Sequence, residues 1–225
     1  TKLPESKKPP REKRPLTEEE ASKLLKAAAG HRHYPIYRLA LSTGAREAEL
    51  LAVLRNEFDP EAGTIRISGQ IQRVDGKLVR RPYVKNKRPR TVALPAEVVQ
   101  ALREHLERID AERELLGDEW KDHGLVFPSE VGTPIEPRNL VRHFKSLLVK
   151  AGLPTDIHFH DLRHSAATIM LNEKVPIQDV SATLGHSSIR VTGDIYDHPD
   201  DARILDATSA ADEAVRRGTR RKKAE

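Results

Sequence analysis

The spacing of hydrophobic and polar residues predicts helices at the start of the chain. The segment LTEEEASKLLKAAAG (16–30) predicts a helix that Thr17 caps, with Glu20 three residues on, and that Gly30 ends. A second helix is predicted near residues 34–42, and a third follows Gly44. The third carries four apolar residues, Leu50, Leu51, Val53 and Leu54.

The pattern changes to a period of two between residues 64 and 94. TIRIS, QIQRV, KLVRRPYV and RTVAL alternate or are rich in β-formers, with Asp75-Gly76 as a hairpin turn and residues 85–89 as a second turn. From Pro95 onward the pattern is helical again. It is interrupted by DHGLVFPSEVGTPIEP, which predicts a loop with a short extended piece.

These elements predict an α+β fold that is mostly helical and holds a small antiparallel β-sheet. Residues 1–15 are basic and Pro-rich, which predicts an extended linker to an N-terminal partner domain absent from this chain. Residues 16–200 form the predicted body. Residues 201–225 are predicted to be a C-terminal helix, near 202–217, and a basic tail.

Composition excludes several classes of protein. The chain has 225 residues, 37% of them hydrophobic, which suffices for a core. It has no cysteine, so disulfides, thiolate metal sites and cysteine nucleophiles are excluded. No apolar run approaches the roughly 18 residues needed to cross a bilayer, so we expect a soluble, cytoplasmic protein without a membrane partner.

Positive charge is concentrated within the body of the chain. The net charge is +5, and residues 66–90 hold nine Lys and Arg residues against a single acid, Asp75. Such a local cationic surface favours a polyanionic partner, because phosphate neutralisation dominates nucleic-acid affinity. The alternative is an ordinary solvated face. Aromatic residues are only 4% of the chain, so base stacking is not the expected binding mode.

Two short motifs place an arginine three residues from a second ionisable residue, a histidine in one motif and a glutamate in the other. In FHDLRHSAAT, His160 and Arg163 lie three residues apart at the opening of a helix, where one face can meet a phosphate. In STGAREAEL, Arg46 lies in the first turn of a helix, where the dipole disfavours a cation, so it needs an anionic partner. Glu49 is the predicted partner. Each motif also occurs by chance in proteins without this chemistry.

A zinc site is the alternative use of the histidines. His160 and His164 have the i, i+4 spacing that zinc ligands can use. Arg163 lies between them, however, and no HExxH sequence is present, so a metal would stand beside a cation. We therefore predict no metal and no cofactor.

The four motifs in their order along the chain resemble the catalytic domain of the tyrosine recombinases, particularly the phage-type integrases. They are TGAREAEL, a lysine in the turn of YVKNKRPRTVALP, HDLRHSAAT and LGHSSIRVTGDIYDH. The resemblance implies a helical catalytic domain that cleaves one DNA strand at a time without metal. It also implies the site residues: Tyr196 as nucleophile, Arg46 and Arg163 on the scissile phosphate, His160 as general base, His186 as a second phosphate contact and Lys85 as general acid.

Further expectations follow from this resemblance and from the charge pattern. Glu49 is expected to hold Arg46, and Lys87, Arg88 and Arg90 to contact double-stranded DNA. We expect a homotetramer on DNA, in which an apolar stripe of the trailing segment docks on a neighbouring subunit or on its own domain. A relaxing topoisomerase of the same cleavage class and a DNA-binding regulator that does not cut remain alternatives.

Overall fold

The computed structural model describes residues 14–83 and 89–185, which form seven α-helices and five strands. The helices are α1 (Glu18–Ala28), α2 (Tyr34–Thr43), α3 (Glu47–Leu50), α4 (Ala96–Leu116), α5 (Pro137–Lys150), α6 (Asp161–Asn172) and α7 (Ile177–Leu184). The strands are β1 (Phe58–Asp59), β2 (Thr64–Ile67), β3 (Gly69–Val74), β4 (Lys77–Pro82) and β5 (Arg90–Ala93). The predicted mostly helical α+β fold is confirmed.

Helix α1 begins as its sequence predicts. The Glu20 N–H donates to Thr17 Oγ1 at 3.2 Å, and the Thr17 N–H donates to Glu20 Oε2 at 3.0 Å. These reciprocal bonds satisfy two N–H groups that no helical carbonyl can reach. The helix ends at Ala28, two residues before Gly30, whose φ is +76°.

The predicted third helix is too long, because α3 ends at Leu50. Leu51, Ala52 and Val53 are all buried, with at most 1% of each residue exposed. The Val126 N–H donates to Val53 O at 2.9 Å, and Leu54 forms an antiparallel bridge with Leu125. The apolar run is therefore an extended segment buried on both sides, which hydrophobicity alone does not distinguish from a helix.

The strands form two antiparallel sheets instead of the single sheet predicted. One has the order β1-β2-β5, with Ile65 opposite Val92, and the other is the β3–β4 hairpin. The predicted turn is confirmed: Asp75 and Gly76 have φ values of +48° and +79°. Gly69 begins the hairpin where a Cβ would lie 2.8 Å from Arg81 O, so only glycine fits this approach.

Helix α2 lies at the centre of the helical part and packs against α1, α4 and α6. Tyr37, which is fully buried on α2, lies 6.0 Å from the rings of both Phe144 and Phe159. These contacts join α2 to α5 and to the chain just before α6. Among the helices formed by residues 14–83 and 89–185, none is both long and apolar enough to cross a membrane.

Candidate active site

The end of α2 turns the chain sharply into Arg46. Gly44 has φ +59°, and its N–H donates to Ala40 O at 2.8 Å, which closes α2. Arg46 then adopts an extended conformation as the residue that precedes α3, so the prediction that it lies in the first turn of the helix is wrong. Its side chain is 37% exposed, so the guanidinium is accessible from solvent.

The buried carboxylate of Glu49 binds both the backbone and the side chain of Arg46. It is 1% exposed and accepts from the Arg46 N–H at 3.0 Å and from Arg46 Nη1 at 2.9 Å. The predicted pair between these residues is therefore present. Because both the backbone and the side chain of Arg46 are bound, its guanidinium has little rotamer freedom left to lose when it binds an anion.

A second arginine also binds Glu49. Arg90 Nη2 donates to Glu49 Oε2 at 2.8 Å. Burial alone raises the pKa of Glu49, but the charge of Arg90 and the hydrogen bonds from Arg90, the Tyr83 hydroxyl and the Arg46 N–H outweigh it and hold the pKa at about 2. Glu49 is therefore an anion at neutral pH, placed between two guanidinium groups.

Helix α6 presents the second motif. His160 precedes the helix and is exposed, whereas Arg163 is only 4% exposed. Arg163 Nη1 donates to Gly44 O and to Leu184 O, both at 2.7 Å. Arg163 therefore joins the end of α2, two residues before Arg46, to the end of α7, and the two arginine motifs meet.

Close packing supports this junction. A Cβ on Gly44 would lie 2.1 Å from Leu184 Cδ2 and 3.6 Å from the Cβ of Ala166. Gly185 ends α7 with φ +71°, and its N–H donates to Ser181 O at 2.9 Å. Gly185 thus ends α7 directly before His186 in the sequence.

Arg90 lies at the beginning of β5, with 11% of its side chain exposed. Its Nε donates to Thr183 O at 2.9 Å, in addition to the bond with Glu49. These contacts lie within the protein and do not test the contact with DNA that the sequence predicted for Arg90. Its contacts with Glu49 and Thr183 are 41 and 93 residues away in the chain, so no local sequence signal reveals them.

Five predicted site residues lie outside the described residues. They are Lys85, Lys87, Arg88, His186 and Tyr196. The trailing segment after residue 200 and the linker before residue 14 also lie outside them. The roles assigned to all of these stay predictions.

The β-rich part presents accessible positive charge. Arg66, Lys77 and Arg81 are exposed and form no ion pair with another described residue. Arg73 is also exposed but bonds Glu136 at 2.5 Å, and Arg80 bonds Glu57 at 2.9 Å. The cationic surface predicted from the sequence is therefore partly neutralised by acids from elsewhere in the chain.

The histidines around α6 do not form a metal site in the part of the chain that the structure describes. The rings of His160 and His164 meet edge to face, with centroids 5.1 Å apart. Within residues 14–83 and 89–185, no three His, Asp or Glu residues are arranged to hold a metal ion.

Three comparisons with known proteins agree with this geometry. The model of the phage integrase family matches residues 14–203. The chain is 35% identical over 196 residues to a tyrosine recombinase XerC-like protein of Caldanaerobacter subterraneus subsp. tengcongensis, an alignment that covers 81% of this chain and 50% of that protein. The chain spans about half the length of the curated relatives it matches.

Solved structures share the fold. The crystal structure of the XerA recombinase superposes with a TM-score of 0.67 and 27% identity, covering 90% of this chain and 66% of that one. The Tn1549 transposon integrase in complex with circular intermediate DNA superposes with a TM-score of 0.76 and 22% identity, covering 93% of this chain and 69% of that one. At that identity the second likeness concerns the fold.

Proposed function

The chain belongs to the phage integrase family, and on that premise we propose that it cleaves and rejoins DNA strands through a covalent 3′-phosphotyrosyl intermediate. Its substrate is double-stranded DNA, and residues 16–200 form the catalytic unit. The single observation that carries the proposal is the junction of Arg46, held by Glu49, with Arg163 through Gly44 O. The relatives named recombinase or integrase support it.

The two arginines supply positive charge to the phosphate on which this reaction develops negative charge. Attack on a phosphodiester gathers negative charge on the non-bridging oxygens, and catalysis of such transfer is mostly positioning and charge stabilisation. A guanidinium stays charged at any usable pH and binds phosphate through two parallel hydrogen bonds. Arg46 and Arg163 are anchored by other protein groups, so little reorganisation is needed when a phosphate arrives.

The remaining roles follow the family motif. The Tyr196 oxygen attacks phosphorus while the bond from phosphorus to the 5′-oxygen breaks, and the tyrosine proton passes to His160. A free tyrosine has a pKa near 10, so it needs such a base or strongly positive surroundings. Lys85 gives a proton to the leaving 5′-oxygen, and His186 binds the phosphate. Attack by a 5′-hydroxyl on the phosphotyrosine reverses the step and rejoins a strand.

Binding is proposed to depend mainly on phosphate contacts. Arg66, Lys77 and Arg81 supply accessible charge, and Lys87 and Arg88 adjoin the general acid in the sequence. We propose that several copies assemble on DNA as a tetramer. We also propose that residues 1–15 link the catalytic unit to a separate DNA-binding domain.

A trapping experiment tests the proposal. The probe is a pool of duplexes of randomised sequence, nicked near the scissile position and labelled at the 5′ end of the scissile strand. When cleavage occurs, the short fragment past the nick diffuses away and the label stays on the protein after denaturing electrophoresis. The wild-type chain should acquire label, and Tyr196→Phe should bind DNA equally and acquire none.

Other outcomes separate the alternatives. Binding without any adduct in the wild type contradicts the proposal and favours a regulator that does not cut. Label on Tyr196→Phe contradicts the nucleophile assignment. Relaxation of a supercoiled plasmid without exchange of strands between two duplexes favours the topoisomerase alternative.

A further inference from the structure

Arg90 occupies a position between three parts of the proposed site. It pairs with Ile67 at the start of β5, five positions after Lys85 in the sequence. Its guanidinium binds Glu49, which holds Arg46. Its Nε binds a carbonyl in the last turn of α7, the helix that ends just before His186 in the sequence.

Contact with Gly185 strengthens the connection to α7. A Cβ on Gly185 would lie 2.6 Å from Arg90 Nη1 and 2.9 Å from Arg90 Cδ, so the arginine packs directly on this glycine. Arg90 and Arg163 bind adjacent carbonyls, those of Thr183 and Leu184. The end of α7 is thus fixed by two arginines from different elements.

We propose that Arg90 is a positioning residue of the recombination site, which holds Glu49 in the arrangement that Arg46 requires and fixes the end of α7 beside it. The inference rests on the proposed function. Arg90 acts through other residues and does not touch the DNA. It therefore has a role different from Lys87 and Arg88, its neighbours in the basic segment.

Exposure and charge favour this role over a phosphate contact. The Arg90 side chain is 11% exposed, whereas that of Arg46 is 37% exposed. A buried carboxylate needs a close cation, since removal of one partner leaves an uncompensated charge. Arg90 supplies that charge to Glu49 and leaves Arg46 available to a phosphate. Its directed N–H groups also reach a carboxylate and a carbonyl at the same time, which a lysine does with less geometric control.

The test compares Arg90→Met, Arg90→Lys and a matched control, Arg103→Met. Arg103 also binds one carboxylate and one carbonyl, those of Glu61 and Pro60, but none of the proposed site residues. Single-turnover adduct formation is measured on the nicked pool at saturating DNA. Affinity for a random-sequence duplex is measured by fluorescence anisotropy between low and moderate salt.

We expect Arg90→Met to slow adduct formation on the order of 100-fold, the effect of a small misplacement of catalytic groups. Its affinity for DNA and the salt dependence of that affinity should stay unchanged. Arg90→Lys keeps the charge and should recover part of the rate. The acid limb of the rate profile should move to higher pH in Arg90→Met, since Glu49 loses the charge that keeps it ionised.

Several outcomes would overturn the inference. A normal rate at saturating DNA, combined with weaker affinity and a salt slope reduced by about one, identifies a direct phosphate contact. An equal loss of rate in Arg103→Met identifies a general effect on stability. If Arg90→Met fails to fold, Arg90→Lys is measured in its place. An unchanged rate and an unchanged pH profile in Arg90→Lys would then contradict the proposal.

A second measurement separates this inference from the proposed function. If the wild-type chain forms no adduct, the proposed function fails, and hydrogen exchange still decides the role of Arg90. The amides of residues 183–185 should exchange faster in Arg90→Met than in the wild type and in Arg103→Met. Equal exchange in all three proteins overturns the connection between Arg90 and α7.

Discussion

Gly44 and Leu184 lie in such close contact that a Cβ on the glycine would stand 2.1 Å from Leu184 Cδ2. The contact joins the turn before Arg46 to the end of α7. Arg163 binds the carbonyl oxygens of the same two residues. Packing and hydrogen bonding therefore act together at the point where the separate motifs of the sequence converge.

Gly44→Ala should destabilise the protein and displace this junction. The change adds the cost of a positive φ, about 1 kcal/mol, and an overpacking cost of about 1–3 kcal/mol. Gly30→Ala is the matched control, because Gly30 has φ +76° with nothing within 4 Å of its added Cβ. Denaturant unfolding should show the larger loss for Gly44→Ala. Equal losses in the two variants would show that the contact with Leu184 relaxes without cost.

Glu49→Gln should remove a contribution to stability that depends on pH. Because the folded pKa of Glu49 is about 2 and the ordinary value is 4.5, the ionised group stabilises the folded state above pH 4.5. That contribution is lost as the pH falls from 4.5 through 2. We expect the variant to lose on the order of 3 kcal/mol at pH 7, with a difference from wild type that shrinks toward pH 2. Urea unfolding at several pH values measures this, and a difference that does not vary with pH contradicts it.

Glu47→Gln should change the stability of the protein in the opposite direction from Glu49→Gln. Burial raises the pKa of Glu47 to about 7, and its buried Oε1 has no hydrogen-bond partner among the described residues. An acid with a raised folded pKa destabilises the folded state increasingly as the pH rises from 4.5 through 7. At pH 8 the neutral glutamine should therefore stabilise the protein by about 1–2 kcal/mol, after allowance for solvent screening.

The control for this prediction is Glu107→Gln, a change at an exposed residue of α4. It should leave stability within about 0.5 kcal/mol at every pH. At pH 4 the Glu47→Gln and wild-type proteins should also match closely. A stabilisation that persists at pH 4 would point to packing instead of ionisation.

Chelation should leave adduct formation unchanged. The proposed chemistry takes its positive charge from arginine and lysine, and the described residues contain no His, Asp and Glu cluster arranged for a metal. The measurement is the rate of adduct formation with and without EDTA. Activity that is lost with EDTA and restored by a divalent ion would favour a metal-dependent mechanism.

Local rules predict the parts of this fold that depend on neighbouring residues. The reciprocal bonds of Thr17 and Glu20 and the turn at Asp75-Gly76 follow from residue identity at fixed spacing. The pair of Arg46 and Glu49 also follows from a fixed spacing, since the third residue of a helix can reach back to the residue that precedes the helix. The order of the four motifs along the chain also predicts the family to which the protein belongs.

The sequence does not predict features that depend on distant contacts. The apolar run after Leu50 continues as a buried extended segment because Val126 and Leu125 pair with it, 73 and 71 positions away from Val53 and Leu54. Arg90 looks like one more cation in a basic segment, and only its contacts with Glu49 and Thr183 reveal its position. Neither contact has a local signature in the sequence.

The last prediction concerns which lysine of VKNKRPR protonates the leaving oxygen. Lys85 and Lys87 both lie outside the described residues, so the choice between them rests on the sequence. Counting back from RTVAL, Lys85 stands at the position where the family motif has its lysine, and Lys87 lies two positions further on. We therefore assign the proton transfer to Lys85 and a DNA backbone contact to Lys87.

A substrate whose leaving 5′-oxygen is replaced by sulfur separates the two roles, because a thiolate leaves without being protonated. Lys85→Ala should cleave ordinary DNA on the order of 100-fold more slowly than wild type and recover most of that loss on the sulfur substrate. Lys87→Ala should lose little on either substrate. The comparison uses single-turnover rates at saturating DNA, so that weaker binding of DNA does not affect the measured rate. If sulfur rescues Lys87→Ala and fails to rescue Lys85→Ala, the two assignments must be exchanged.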